Sequence, residues 1–391
     1  MGKALDAAWS DYQSALESLR HRLLALDAGS EAGWQAHRLL LEAQAAAYNL
    51  VMAPQLDRPR FQTETVFSPH LYDWIMPNPD FRYRYAFVAG DGTYEITGRL
   101  GSSHFLDAQL IRGFFGDPAI QLLENYDLRK LAAPDGTLRV TLSAARPAGD
   151  APWIRLSPGA MNSLIVRECF YDWPQEAGAT LEIAAPAAAA PAAPLGEAAF
   201  IARLGAAARM MEFCSRTFGP EFCQGIAAQV GENRFLLLDT HRDEDAANPK
   251  AAYIPAAYRL EPGAALVISM AAPKADYWSL HLTDRWSRTL DYLDHQSSLN
   301  GRQLQADGDG RIRVVVSIAD PGVANWLDPV GVAHGMILLR WYGGRDNPVP
   351  VIDPVPLDRL AQRLPPDTAR VDAAGRAATL RRRRQAVLAR L

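Results

Sequence analysis

Asp135-Gly136-Thr137-Leu138-Arg139-Val140-Thr141-Leu142-Ser143 returns later in the chain as Asp309-Gly310-Arg311-Ile312-Arg313-Val314-Val315-Val316-Ser317, with its apolar alternation in the same phase. An Asp-Gly turn followed by alternating apolar and polar residues marks a strand entered from a tight turn. Its recurrence marks a duplicated unit. Working outward, Trp153 is followed by Arg167 at the same spacing that separates Trp326 from Arg340. Upstream, Gly92–Gly98 and His104–Asp107 find echoes in Gly263–Ser269 and Tyr277–Leu280. Residues common to both copies are expected to serve the fold, so chemistry is sought where the copies differ.

Around these anchors, short alternating runs begin near Gln62 and are punctuated by Asn78-Pro79, Gly90-Asp91-Gly92 and Pro158-Gly159, the habit of an antiparallel sandwich. Apolar residues at helical spacing precede them, Trp9, Tyr12, Leu16, Leu19 and Leu23, then Trp34, Leu41, Ala45 and Tyr48, with Ser30 as N-cap of the second helix. The Ala/Pro run from Ile183 to Leu195 reads as a linker, and Phe200 to Phe218 as a further helix ended by Gly219-Pro220. The layout expected is an N-terminal helical segment at 1–55, a first β repeat at 56–182, linker and helix at 183–230, a second β repeat at 231–352, and a polar, helical tail at 353–391. The fold class is mainly β, two related antiparallel β-sandwich domains with N- and C-terminal helices.

Composition narrows the function classes. A chain of 391 residues with 49% hydrophobic residues can bury sizeable cores. A net charge of −4 argues against nucleic acid as the main partner, because phosphate binding needs a basic face. Three cysteines without CxxC spacing suggest neither a disulfide framework nor a zinc site. No run approaches the ~20 apolar residues of a membrane span. A cytoplasmic location is expected, without a membrane span, and a homo-oligomer is compatible with the sequence. Arg381 to Arg384 are read as a solvated helix face or a dock for an acidic partner.

Asp276-Tyr277-Trp278-Ser279-Leu280-His281-Leu282, then Leu299-Asn300, Asp309-Gly310, Asn325-Trp326-Leu327-Asp328 and Leu338-Leu339-Arg340-Trp341, resemble the bacterial domain-of-unknown-function family DUF1214. Asn78-Pro79-Asp80, Tyr83 to Gly98 and Trp153 to Trp173 resemble the region upstream of that domain in one branch of the family. The resemblance implies a jelly-roll-like sandwich for the second half and catabolism of apolar small molecules as the setting. It carries over no catalytic residue.

Subtracting the repeat leaves 281–300, whose counterpart near 108–127 has no histidine. His295 offers a base of near-neutral pKa, with Asp291 or Asp294 to orient it, and Tyr292 with Arg285 to stabilise charge developing on oxygen. Trp286, Ser298 and Asn300, with Asn325 and Asp328, are the expected substrate contacts. Trp153 and Trp326 are expected to anchor the sandwich cores. A His/carboxylate metal site from His281, His295 and His334 is disfavoured, because the paired His spacing of cupin-type jelly rolls is missing. The sequence thus points to an enzyme without metal or organic cofactor, a lyase, isomerase or hydrolase acting by acid–base catalysis on an apolar oxygenated molecule such as a terpenoid, steroid or aromatic catabolite. The alternative is a noncatalytic small-molecule or carbohydrate-binding or scaffold protein.

Overall fold

The computed structural model describes residues 2–26, 33–63, 75–186, 195–238, 251–344 and 347–390. The Ser30 cap and residues 187–194 of the linker lie outside the described residues. The chain divides into two compact units. The first holds Met1–Tyr72, Phe81–Phe170 and Glu176–Thr217, and the second holds Asp73–Asp80, Tyr171–Gln175 and Phe218–Leu391. Two short pieces of the first half in sequence, one carrying Asn78 and Asp80 and the other Trp173, therefore belong to the second unit.

The first unit opens with α1 (Gly2–Leu26) and α2 (Gly33–Ala47), and α2 runs into a π turn at Tyr48–Met52. The buried stripe of α2 is Ala36, Leu39, Leu40, Ala43, Ala46 and Ala47, whereas Trp34, Leu41 and Tyr48 are exposed. Small residues let the helix pack closely, which turns outward the large residues expected to pack. Its strands are β1 (Gln62–Thr63), β2 (Phe81–Ala89), β3 (Thr93–Arg99), β4 (Phe105–Arg112), β5 (Gln121–Asp127), β6 (Thr137–Ser143), β7 (Trp153–Arg155), β8 (Met161–Cys169) and β9 (Thr180–Ala184). They form two sheets, ordered β1-β2-β8-β4-β5 and β7-β6-β3-β9. Ala86, Val88, Leu106, Leu110, Leu164 and Val166 from one sheet meet Ile96, Val140, Leu142 and Ile154 from the other in a single core. The unit ends with α3 (Glu197–Thr217).

The second unit repeats this plan after α4 (Pro220–Val230). Its strands are β10 (Ala251–Arg259), β11 (Ala264–Ala271), β12 (Tyr277–Asp284), β13 (Ser298–Asn300), β14 (Arg311–Val316), β15 (Trp326–Leu327), β16 (His334–Tyr342) and β17 (Val351–Pro356). Their orders are β10-β16-β12-β13 and β15-β14-β11-β17. All pairings are antiparallel except β6 with β7 and, at the corresponding place, β14 with β15. Ile254, Leu280, Leu282, Ile337 and Leu339 face Leu266, Ile268, Ile312 and Val314 across the core. Two short helices' worth of chain, ending in α5 (Leu360–Arg363), and then α6 (Ala373–Leu388) complete the unit.

The repeat is exact enough to be read residue by residue. Trp153 lies opposite Thr141 on β6 and Trp326 opposite Val315 on β14, and each indole donates to a serine carbonyl, Ser143 at 3.1 Å and Ser317 at 3.0 Å. Arg167 lies between Tyr83 and Asp107, and Arg340 between Tyr253 and Ser279. The tryptophans do not anchor the inter-sheet cores, contrary to expectation. Strand alternation turns each outward and sends its neighbour, Ile154 or Leu327, into the core instead. Trp326 packs in a separate cluster with Val267, Val355, Leu360 and Leu364.

Candidate functional site

On β12, Trp278, Leu280 and Leu282 point into the sandwich core, so the two-residue period turns Tyr277, Ser279, His281 and Thr283 to the opposite face of the sheet. A solvated sheet face would explain such polar residues, but all four are fully buried. Arg340 from β16 lies opposite Ser279, and Ser298 and Asn300 from β13 lie opposite His281 and Ser279. Asn78 and Asp80 join them.

The hydrogen bonds converge on Asp80. Tyr277 Oη lies 2.6 Å from Asp80 Oδ2, while Trp173 Nε1 and Asn300 Nδ2 donate to Asp80 Oδ1 at 2.6 and 2.8 Å. Tyr277 Oη is also 2.7 Å from Ser279 Oγ and accepts from Asn78 Nδ2 at 2.8 Å. A phenol has one proton, so the row has two arrangements. With Asp80 ionised, Tyr277 donates to Asp80 and Ser279 to Tyr277. With Asp80 protonated, every donor reverses and the Ser279 proton is released toward the sheet face. Burial raises the Asp80 carboxyl above its usual value, opposed by the bonds from Tyr277, Asn300 and Trp173 and by the charge of Arg390.

His281 stands two residues beyond Ser279 on the same face, and neither ring nitrogen has a hydrogen-bond partner among the described residues. Burial first, and the Arg340 charge second, hold its pKa well below 6.5, so the ring is neutral near pH 7. An unpaired buried polar group costs about 1–3 kcal/mol. The duplicate supplies the control: strand registers put Gln109 in the corresponding position, and its Oε1 accepts from Arg167 Nη1 at 2.6 Å. In one copy this position is satisfied within the fold. In the other it is not.

The residues singled out in the sequence scatter into several separate roles. His295 is half-exposed, and its orienting carboxylate is Asp328, with Nδ1 and Oδ2 2.8 Å apart. Asp291 and Asp294 do not orient it: Asp291 Oδ1 accepts the backbone N–H groups of Leu293 and Asp294, closing a turn, and Asp294 pairs with Arg384. Arg285 stacks on the buried Trp286, and Asn325 ties Gln305 to Arg313 through backbone groups. Tyr292 is buried, its carbonyl facing Arg383. Only Ser298 and Asn300 reach the polar face around Asp80. Most of 285–300 is buried and internally bonded, as when Asp284 accepts from the backbone of Trp286 and Arg288 and pairs with the Arg288 guanidinium at 2.7 Å.

The tail arginines are not simply a solvated face. Arg376, Arg383 and Arg390 recur every seventh residue and are buried, while Arg381, Arg382 and Arg384 are exposed. Arg376 lies over Trp326 at 4.8 Å, and Arg383 and Arg390 over Trp173 at 4.6 and 4.3 Å. Arg383 donates to Ser298 Oγ at 2.9 Å and Arg390 to the Pro79 carbonyl. Burial, opposed by Asp80, brings the Arg383 pKa down to about 10, leaving it charged near neutrality. The tail thus closes the ring of residues around Trp173 and Asp80.

Among the described residues no group of three or more His, Cys, Asp or Glu side chains could hold a metal ion, and none of their helices is long and apolar enough to cross a membrane. A solved structure of an uncharacterised protein from Burkholderia cenocepacia is similar over 92% of this chain and 99% of its own, with 28% identity and a TM-score of 0.82. A protein from Vibrio parahaemolyticus aligns over 81% of this chain and 99% of its own, with 13% identity and a TM-score of 0.48. No curated protein matches. Residues 249–346, which carry β10 to β16 and with them Tyr277, His281, Asn300 and Arg340, match the family model described as "Protein of unknown function (DUF1214)".

Proposed function

We propose that the chain is a small-molecule enzyme working by proton transfer on the polar face of the β10-β16-β12-β13 sheet. His281 acts as base, and the Asp80–Tyr277–Ser279 row returns the proton. The observation that carries this reading is the buried His281 ring, unpartnered among the described residues, beside a row of hydroxyls whose proton positions can reverse. A neutral imidazole and a carboxyl with raised pKa, pushed in opposite directions by their surroundings, match the needs of a base and an acid at the same pH. His281 would take a proton from carbon next to an oxygen function, Arg340 would favour negative charge on that oxygen, and Ser279 would protonate the product, refilled through Tyr277 from Asp80; the proton left on His281 would pass back to Asp80, through solvent, before the next turnover. The substrate class remains the apolar oxygenated molecule suggested by the sequence, in a lyase, isomerase or hydrolase step without an organic cofactor. A second reading puts the base at His295, favoured by its 2.8 Å contact with Asp328, which leaves Nε2 unengaged among the described residues.

Incubating native protein, His281→Leu and His295→Ala with an extract of apolar metabolites, followed by mass spectrometry, separates the readings. Native protein is expected to consume at least one component. His281→Leu should slow that by about 10²–10⁴-fold, with His295→Ala close to native. The reverse order would move the base to His295, and an extract left unchanged by native protein would favour noncatalytic binding.

A further inference from the structure

The first unit contains a cavity of about 350 Å³ that the chemistry above does not use. Its walls are Leu50 and Val51 of the π turn, Pro54 and Leu56 beyond it, Phe114 and Phe115 before β5, and Ala199, Ala202 and Ala206 of α3. Small side chains on α3 make the space. Aromatic packing holds the facing wall, with Phe114 edge-on to Phe87 at 4.9 Å and Phe115 stacked on Phe213 at 6.0 Å. Gly116, at φ +79°, brings that turn against α3, where a Cβ would fall 2.5 Å from the Arg209 carbonyl.

Two guanidinium groups border this apolar space. Arg203 Nη1 donates to the Met52 carbonyl at 2.6 Å, which fixes one arm of the fork and leaves its other nitrogens uncommitted among the described residues. Arg209 is exposed and has no hydrogen bond or ion pair among the described residues. Asp117 also lines the cavity, but its Oδ1 accepts from the Ala119 N–H at 2.9 Å and it forms no ion pair with either arginine. Asp57, outside the lining, acts on Arg203 through its charge without a hydrogen bond among the described residues, so the lining itself is apolar with two guanidinium groups and one carboxylate. The π turn adds a second pointer, because insertions of this kind cost hydrogen-bond regularity and cluster at functional sites.

We propose that this cavity binds an apolar monocarboxylate, its hydrocarbon body between the π turn and α3 and its carboxylate on Arg203 and Arg209. The volume falls within the ~300–1,000 Å³ of small-molecule sites, near the lower end, which suits a chain or ring system of about ten carbons. Guanidinium favours a planar carboxylate through paired N–H donors. The inference does not rest on the proton-transfer reading, whose residues belong to the second unit.

Titration calorimetry of the full chain with sodium decanoate and with 1-decanol tests it. Decanoate is expected to bind one to one, and decanol about tenfold or more weakly, since it lacks the charge-assisted bonds. Arg203→Met should lose a similar factor for decanoate but not for decanol, and Ala206→Trp should abolish both by filling the cavity. Arg209→Met and Ala202→Trp, both at exposed positions, serve if either of those variants fails to fold. Absence of decanoate binding, equal affinity for decanol, or binding indifferent to the cavity-filling variants would overturn the assignment.

Discussion

Tyr277 Oη lies between two oxygens of the second unit, 2.6 Å from Asp80 Oδ2 and 2.7 Å from Ser279 Oγ, and also accepts from Asn78. The one hydroxyl joins a carboxyl supplied from residues 73–80 to a strand nearly two hundred residues later. It is a structural tie, and in the proposed reading it is also the proton path.

Tyr277→Phe removes only this oxygen and leaves Asp80, Ser279 and Asn78 each short of a partner in a buried setting. We expect a loss of about 1–3 kcal/mol in urea unfolding with little change in the m-value. Asp80→Asn should cost less, because an amide can still accept from Trp173 and Asn300. Comparing the two midpoints checks the order.

Stability should also follow the protonation of His281. Its folded pKa lies well below the ordinary 6.5, so below that pH the unfolded chain takes a proton that the folded chain refuses. The contribution is whole above pH 6.5 and is lost as pH falls toward the folded value, by up to about 1.4 kcal/mol per pH unit. Unfolding free energies of native protein and His281→Leu across pH 5 to 8 should diverge on the acid side in that direction; parallel curves would contradict it.

In the first unit, Glu168 is buried against Arg82 at 2.7 Å and Arg84 at 2.9 Å, and accepts the Ala179 N–H at 2.5 Å. Burial alone would raise its pKa, but the two arginines outweigh it and hold the carboxyl below 4.5. Its stabilisation is therefore present above pH 4.5 and lost on further acidification. Glu168→Gln removes the negative charge that two guanidinium groups face and should cost about 3–5 kcal/mol, read as a lower denaturation midpoint.

The fold was legible because a duplication repeats its turns. Asp135-Gly136 and Asp309-Gly310 open β6 and β14, and the following alternation fixes which residues face inward. Side chains were harder to read where local pattern and tertiary packing disagree, as at Trp34 and Leu41, which have the spacing of a buried stripe but yield it to alanines. The segment 281–300 stands out in the sequence through its clustered polar residues, which draw attention to His295. The contrast between His281 and Gln109, which hold the same register position in the two copies, is harder to see because its offset differs by one residue from that of the Trp and Arg pairs. Asp80 could not have been grouped with Tyr277 from the sequence, since their approach depends on the chain crossing between units. The sevenfold spacing of Arg376, Arg383 and Arg390 was visible, but the adjoining arginines of 381–384 masked it.

The central claim is that His281 is kept for chemistry at some expense to the fold, and the melting temperature of His281→Leu tests it without knowledge of the substrate. Leucine at this fully buried position removes two nitrogens that have no partner among the described residues and fills a similar space. Replacing an unsatisfied polar group with an apolar one of like shape is neutral to stabilising. At pH 7.5, where the histidine is neutral in both folded and unfolded chains, we expect the variant to melt at or above the native temperature. A fall of several degrees, equivalent to more than about 1 kcal/mol, would mean that the ring is held by the fold and would contradict the account.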